Sequence, residues 1–147
     1  MLGTLLKYTA VADQKYIEVF GNHSDYGERA LLLISHILNA QNIWTCRILG
    51  TEPQYERFQV HAPDQLRSIS NKNTSDLKLI FDNRPLDQEI QYSTSAGDGY
   101  VNTVEEILYH VVNHSTYHRG QVALLLREAG IDPPVTDLVF LKRSGEL

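Results

Sequence analysis

The stretch from Tyr109 to Gly130, YHVVNHSTYHRGQVALLLREAG, constrains this chain more than any other. Three of the six histidines, His110, His114 and His118, stand in it at successive i, i+4 steps. In a helix each step of four residues turns the side-chain direction by only about 40°, so the three imidazoles share a sector of roughly 80°. Ile107, Val111, Val122 and Leu125 recur on the same side with core spacing, which predicts histidines directed into protein rather than water. A lone buried histidine is usually satisfied by a backbone carbonyl or a water. Three in line are harder to satisfy, because a helix has already used its own carbonyls. Two imidazoles at i, i+4 can instead hold one side of a divalent metal ion, and a stable site then needs a further ligand from another element.

The remaining periodicity is mainly helical. Leu2, Leu5, Thr9, Ala12, Tyr16, Val19 and Phe20 define the inner face of a first helix that closes at Gly21-Asn22. Ser24 or Asp25 is the expected N-cap of a second helix, Asp25 and Glu28 having capping-box spacing. That helix runs to about Leu49, where Gly50 and Pro53 end it. Its main apolar arc is Ala30, Leu33, Ile34, Ile37, Ala40, Trp44 and Ile48, with His36 at the margin and placed to reach the histidine helix. Leu31 and Leu38 fall on the opposite side, a second stripe that predicts a partner subunit or a further element of the same chain.

Thr51 to Ala62 reads as a loop, with His61 as a surface residue. Pro63 opens a third helix that reaches about Asn83 through Leu66, Ile69, Asn73, Leu77 and Ile80, with a possible break near Asn71 to Ser75. Asn73 would either orient a ligand histidine or bond the backbone. Glu89 to Ser93 alternates in character, and Gly97-Asp98-Gly99 supplies turn chemistry before Tyr100-Val101, so a short β-hairpin is expected. Thr103 and Glu106 form a capping box at the start of the histidine helix, which ends at Gly130. After Asp132-Pro133-Pro134, Thr136-Asp137 could cap one turn laying Leu138, Val139 and Phe140 on the bundle. We expect one domain, residues 1–147, of all-α class: a four-helix bundle with a hairpin insert before the last long helix.

Composition removes several function classes. One cysteine, Cys46, excludes an internal disulfide framework and a multi-cysteine zinc site. Cys46 lies away from the main arc with no adjacent base, so it does not read as a nucleophile. Ser115 points about 100° away from its neighbour His114, which leaves serine–histidine catalysis unsupported. A net charge of −5 without a basic cluster is a poor footprint for nucleic acid. No apolar run spans a bilayer and the N-terminus lacks secretory-signal character, so no membrane partner and a cytoplasmic location are expected.

The run NHSTYHRGQ, Asn113 to Gln121, resembles the signature of the DinB-like (DinB/YfiT) proteins, a DNA-damage-inducible group. The resemblance includes a histidine in the second helix with a tryptophan eight residues on (His36, Trp44), the hairpin, and the Pro133 to Asp137 tail. It implies a DinB-like four-helix bundle, commonly a homodimer, with a divalent metal ion held by His36, His114 and His118. Zinc or nickel is the expected ion, with iron or manganese as alternatives. His110 would line the pocket or bond a neighbour. Gln121 lies near the ligand face, Tyr117 at its edge, and Arg119 points away and would tie helices together. Characterised members look like metal-dependent transferases or isomerases that use low-molecular-weight thiols such as bacillithiol or mycothiol. The resemblance therefore implies activation of a small thiol for attack on an electrophilic small molecule. Against this stand a non-catalytic, metal-stabilised dimer that binds a small ligand or serves a stress response, and a bundle whose histidines only pack.

Overall fold

The computed structural model describes all residues, Met1–Leu147. Its elements follow in the order α1 (Leu2–Asn22), α2 (Glu28–Leu49), α3 (Pro63–Asn83), β1 (Glu89–Ser93), β2 (Gly99–Thr103), α4 (Val104–Glu128) and α5 (Leu138–Arg143). The fold is helical with one antiparallel hairpin before the last long helix, as the periodicity predicts; β1 and β2 pair from Glu89 opposite Thr103 to Ser93 opposite Gly99. Helix α2 packs on α4 and α3, and α1 packs on the same two helices, so α1 and α2 lie diagonally opposite in the bundle. No helix is long and apolar enough to cross a membrane.

Helix ends explain two of the boundaries. The capping box closes α4 from its start: Glu106 N–H donates to Thr103 Oγ1 at 3.2 Å, and Thr103 N–H donates to Glu106 Oε2 at 2.9 Å. Its far end is a Schellman motif, with Gly130 at φ +75° and Ile131 N–H donating to Leu126 O at 2.9 Å. That turn folds Ile131 into the core beside Leu126. The expected Ser24/Asp25 cap of α2 is not formed. The helix starts at Glu28 after Gly27, and the Ser24 hydroxyl bonds only Asp25. Gly27 has φ +81°, because the short link from α1 must reverse direction there, and that conformation suits glycine rather than a capping side chain. Helix α3 runs unbroken through Asn71 to Ser75.

Two apolar clusters make up most of the core. One gathers Phe20, Ile34, Ile37, Leu66, Val122 and Leu126; the other gathers Leu2, Ile48, Leu77, Ile80, Ile107 and Val111. Between them every long helix contributes a buried polar residue. Arg119 Nη1 donates to Asp13 Oδ1 at 2.6 Å, Gln41 Nε2 donates to Asp13 Oδ2 at 2.6 Å and to Ser115 Oγ at 3.1 Å, and Asn73 Nδ2 donates to Leu38 O at 2.9 Å. Arg119 therefore ties helices together, and Asn73 bonds backbone and Gln41 rather than a histidine. Leu38 is fully buried and Leu31 packs partly on the same cluster, so the second stripe of α2 is covered within the chain and gives no reason for a partner. In the tail, Leu141 is the residue that α5 buries, while Val139 and Phe140 stay half exposed.

An ion pair with both side chains 2% exposed is costly to break, because the surviving partner keeps its charge out of water. Asp13→Ala is expected to destabilise the protein by about 3–5 kcal/mol in urea unfolding. Asp13→Ala combined with Arg119→Met should recover a large part of that loss, and a purely additive double variant would show that the pair is not coupled.

Candidate metal centre

The histidine helix does not direct its three imidazoles into the core. Its most buried side is Leu108, Val111, Ser115, Arg119, Val122 and Leu126, roughly 100° from the histidines. His114 and His118 are half-buried at the α2–α4 seam, and His110 is exposed. The reason is the polar residues Ser115 and Arg119, which the buried network draws inward and which thereby turn the histidines towards α2.

There they meet His36, a buried side chain of α2. The rings of His36 and His114 are centred 5.0 Å apart, His36 and His118 4.7 Å, and His114 and His118 4.4 Å, all edge to face. One ring nitrogen from each lies within 4.8 Å of one from each of the others, a group that could hold a metal ion. His110 is outside this group, its ring 4.7 Å from that of Trp44 and 5.6 Å from that of His114.

Hydrogen bonds orient this donor set. His36 Nδ1 lies 3.0 Å from Arg57 O. A carbonyl only accepts, so Nδ1 carries the proton and Nε2 keeps its lone pair. His118 Nδ1 donates likewise to Gln121 Oε1 at 2.7 Å. Outer-nitrogen bonds of this kind hold the tautomer and ring direction of metal-binding histidines. Burial pushes the His114 pKa down to about 4, helped by the neighbouring His118, His36 and His110, and burial lowers that of His36 too. Both are thus neutral lone-pair donors at neutral pH, and three imidazoles without a carboxylate among them suit a divalent ion of borderline softness.

The bond to His36 depends on the loop 51–62, and that loop depends on side chains of α2. Asn39 Nδ2 donates to Gln59 O at 2.7 Å, Asn39 Oδ1 accepts from His61 Nε2 at 2.6 Å, His61 N–H donates to Ser35 Oγ at 3.1 Å, and Gln54 N–H donates to Asn42 Oδ1 at 2.9 Å. His61 is therefore buried, 4% exposed, and not the surface residue expected from its isolation in sequence. The stripe Ser35, Asn39, Asn42 at i, i+4, i+7 was the signal available for this docking. Phe58 of the same loop stacks on His36, centroids 4.7 Å apart.

In front of the histidines lies a cavity of about 850 Å³, lined among others by Ala40, Ile43, Trp44, Arg47, Arg57 and Phe58. Cys46 is buried and outside it, and Tyr117 stands mostly exposed beside His118.

The sequence profile of the DinB family matches residues 24–146. The chain belongs to the DinB family. It is similar to Protein DinB of Bacillus subtilis (strain 168), 42% identical over 52 residues, which is 35% of this chain but only 30% of that protein's length. It is also similar to the uncharacterized protein YizA of the same organism, 25% identical over 118 residues, covering 79% of this chain and 74% of YizA.

The depressed histidines set a pH dependence for the metal-free DinB-family chain. His114 titrates near 6.5 when unfolded and near 4 when folded, so between those values the unfolded state binds more protons. Stability is full above about pH 6.5 and declines as pH falls towards 4. In denaturant titrations at pH 7 and pH 5, the drop in midpoint should be smaller for His114→Gln, which cannot take up the proton; an equal drop would locate the dependence elsewhere.

Proposed function

We propose that His36, His114 and His118 hold one divalent metal ion, zinc or nickel in the first instance, and that the protein is a metal-dependent transferase acting with a low-molecular-weight thiol on an electrophilic small molecule. The observation that carries this reading is the convergence of three imidazoles, two with their outer nitrogens already bonded, at one wall of a roomy cavity. Such an ion brings the pKa of a coordinated thiol or water towards the physiological range. The protein's own residues supply the rest. Arg57 O and Gln121 aim two imidazoles, while Trp44 and Phe58 provide apolar walls that limit water around the reacting groups. The one cysteine lies outside the cavity, which supports a nucleophilic thiol brought in by a co-substrate. A homodimer completes the reading, supported by the exposed Tyr109, Tyr117 and Leu124 along one side of α4.

Protein purified without a histidine tag should carry about one equivalent of metal per chain by elemental mass spectrometry, and His114→Ala should lose it. A metal-free, fully stable preparation that takes up no zinc, nickel, iron or manganese would leave the histidines a packing role. For the activity, conjugation of glutathione or bacillithiol to 1-chloro-2,4-dinitrobenzene is expected to be metal-dependent and to fall at least 100-fold in His114→Ala. Metal binding without turnover by any thiol tried would instead mark a metal-holding binding protein.

A further inference from the structure

The cavity has a second pole that the metal reading leaves unused. On α2, His36, Ala40, Ile43, Trp44 and Arg47 all line it, and 11 residues at about 1.5 Å each separate His36 from Arg47 by roughly 16 Å along one face of the helix. The cavity is therefore elongated along the α2 axis, with imidazoles towards one end and a guanidinium at the other. Arg47 is only partly exposed. Its guanidinium lies 4.2 Å from the Trp44 ring centre and 4.6 Å from that of Tyr92. Two aromatic faces thus hold it by cation–π contact. None of the four ion pairs of the protein includes it.

Arg57, on the loop that bonds His36, lines the same space and is likewise free of any ion pair. Burial disfavours protonation of both Arg47 and His36, and the Arg57 charge adds to it. Glu56 is the one carboxylate in the lining and pairs with neither arginine. A chain of net charge −5 thus places two unneutralised guanidiniums against one carboxylate around this cavity. A guanidinium fixed by aromatic stacking keeps its planar fork of donors free for a carboxylate, at little further entropic cost.

We propose that Arg47 forms an anion subsite and determines specificity: the small molecule bound here is an elongated carboxylate, its carboxyl on Arg47 and its other end at the histidines. In the metal-free chain the net excess of one positive charge in the lining fits a carboxylate ligand of net charge −1 better than a phosphate dianion. The ligand spans on the order of 10 Å between its two anchored ends, since the arginine side chain reaches back along the helix face. Trp44 and Ile43 form the apolar stretch between the ends. The proposal deepens the transferase reading, in that it takes this cavity as the substrate site, but carboxylate binding at Arg47 needs neither the metal ion nor a thiol.

Trp44 is the single tryptophan of the chain and touches Arg47, so its fluorescence reports occupation of the subsite directly. The probes are S-methylglutathione, which has carboxylates and no free thiol, and its diethyl ester, titrated into metal-free protein. S-methylglutathione should bind saturably and more weakly as salt rises. Arg47→Met should raise its Kd at least tenfold, leave the ester within twofold, and leave the metal content of loaded protein unchanged. Arg47→Lys should restore part of the affinity, because the charge returns without the fork. Equal weakening of both probes, no effect of either substitution, or no saturable binding to the unmodified chain would each overturn the subsite. Because no metal and no free thiol is involved, these results are independent of the conjugation assay that judges the transferase reading.

Discussion

The register of α2 against α4 is the constraint on which the rest of this molecule depends, and a buried polar layer holds it. Apolar side chains tolerate sliding, since one leucine can replace another in a hole of similar volume. The contacts of Asp13 with Arg119 and of Gln41 with Asp13 and Ser115 do not. A shift of one helical turn, about 5.4 Å, would strand a buried charge and several buried amides, each costing more than the lost hydrogen bond itself. His36 stands five residues before Gln41, while His114 and His118 immediately precede Ser115 and Arg119. The same register that satisfies the core therefore brings the three imidazoles together at the seam.

That arrangement concentrates basic groups in an acidic protein. His114 and His36 stay neutral because desolvation penalises their charged forms, and the neighbouring rings add to that penalty. The guanidiniums of Arg47 and Arg57 add a positive field around the cavity. The result is a site with lone pairs at one end and positive charge at the other, closed on one side by a loop that side chains of α2 hold in place. A single helix thus supplies a candidate ligand, the anchors of the loop and the arginine.

How much of this was legible in the chain differs by element. Thr103 with Glu106 marked the start of α4, and Pro63 that of α3, because capping chemistry is local. Gly27 precedes α2 in place of the capping candidates Ser24 and Asp25, since a reversal between two antiparallel helices is decided by where the helices pack, not by which residue could cap. The three-histidine group was legible through the i, i+4 spacing together with the resemblance of Asn113 to Gln121 to a known signature. Ile107, Val111 and Val122 are buried as their spacing predicts, but the histidines lie about 100° from the centre of the buried side, because counting apolar residues gives no weight to a buried arginine whose partner, Asp13, lies 106 residues away. His61 was misjudged for a similar reason: its partner Asn39 belongs to another element.

The sequence by itself determined the helices, the hairpin, the family and the histidines worth considering, because each of these is written in short-range periodicity, capping or a contiguous signature. Only the tertiary structure decided which side of α4 faces inward, that the stripe of Leu31 and Leu38 is covered within the chain, and that loop 51–62 completes the site. The physical reason is that burial and polar pairing are settled between elements distant in sequence. A charged or polar residue reads as solvent-facing until its partner is in place.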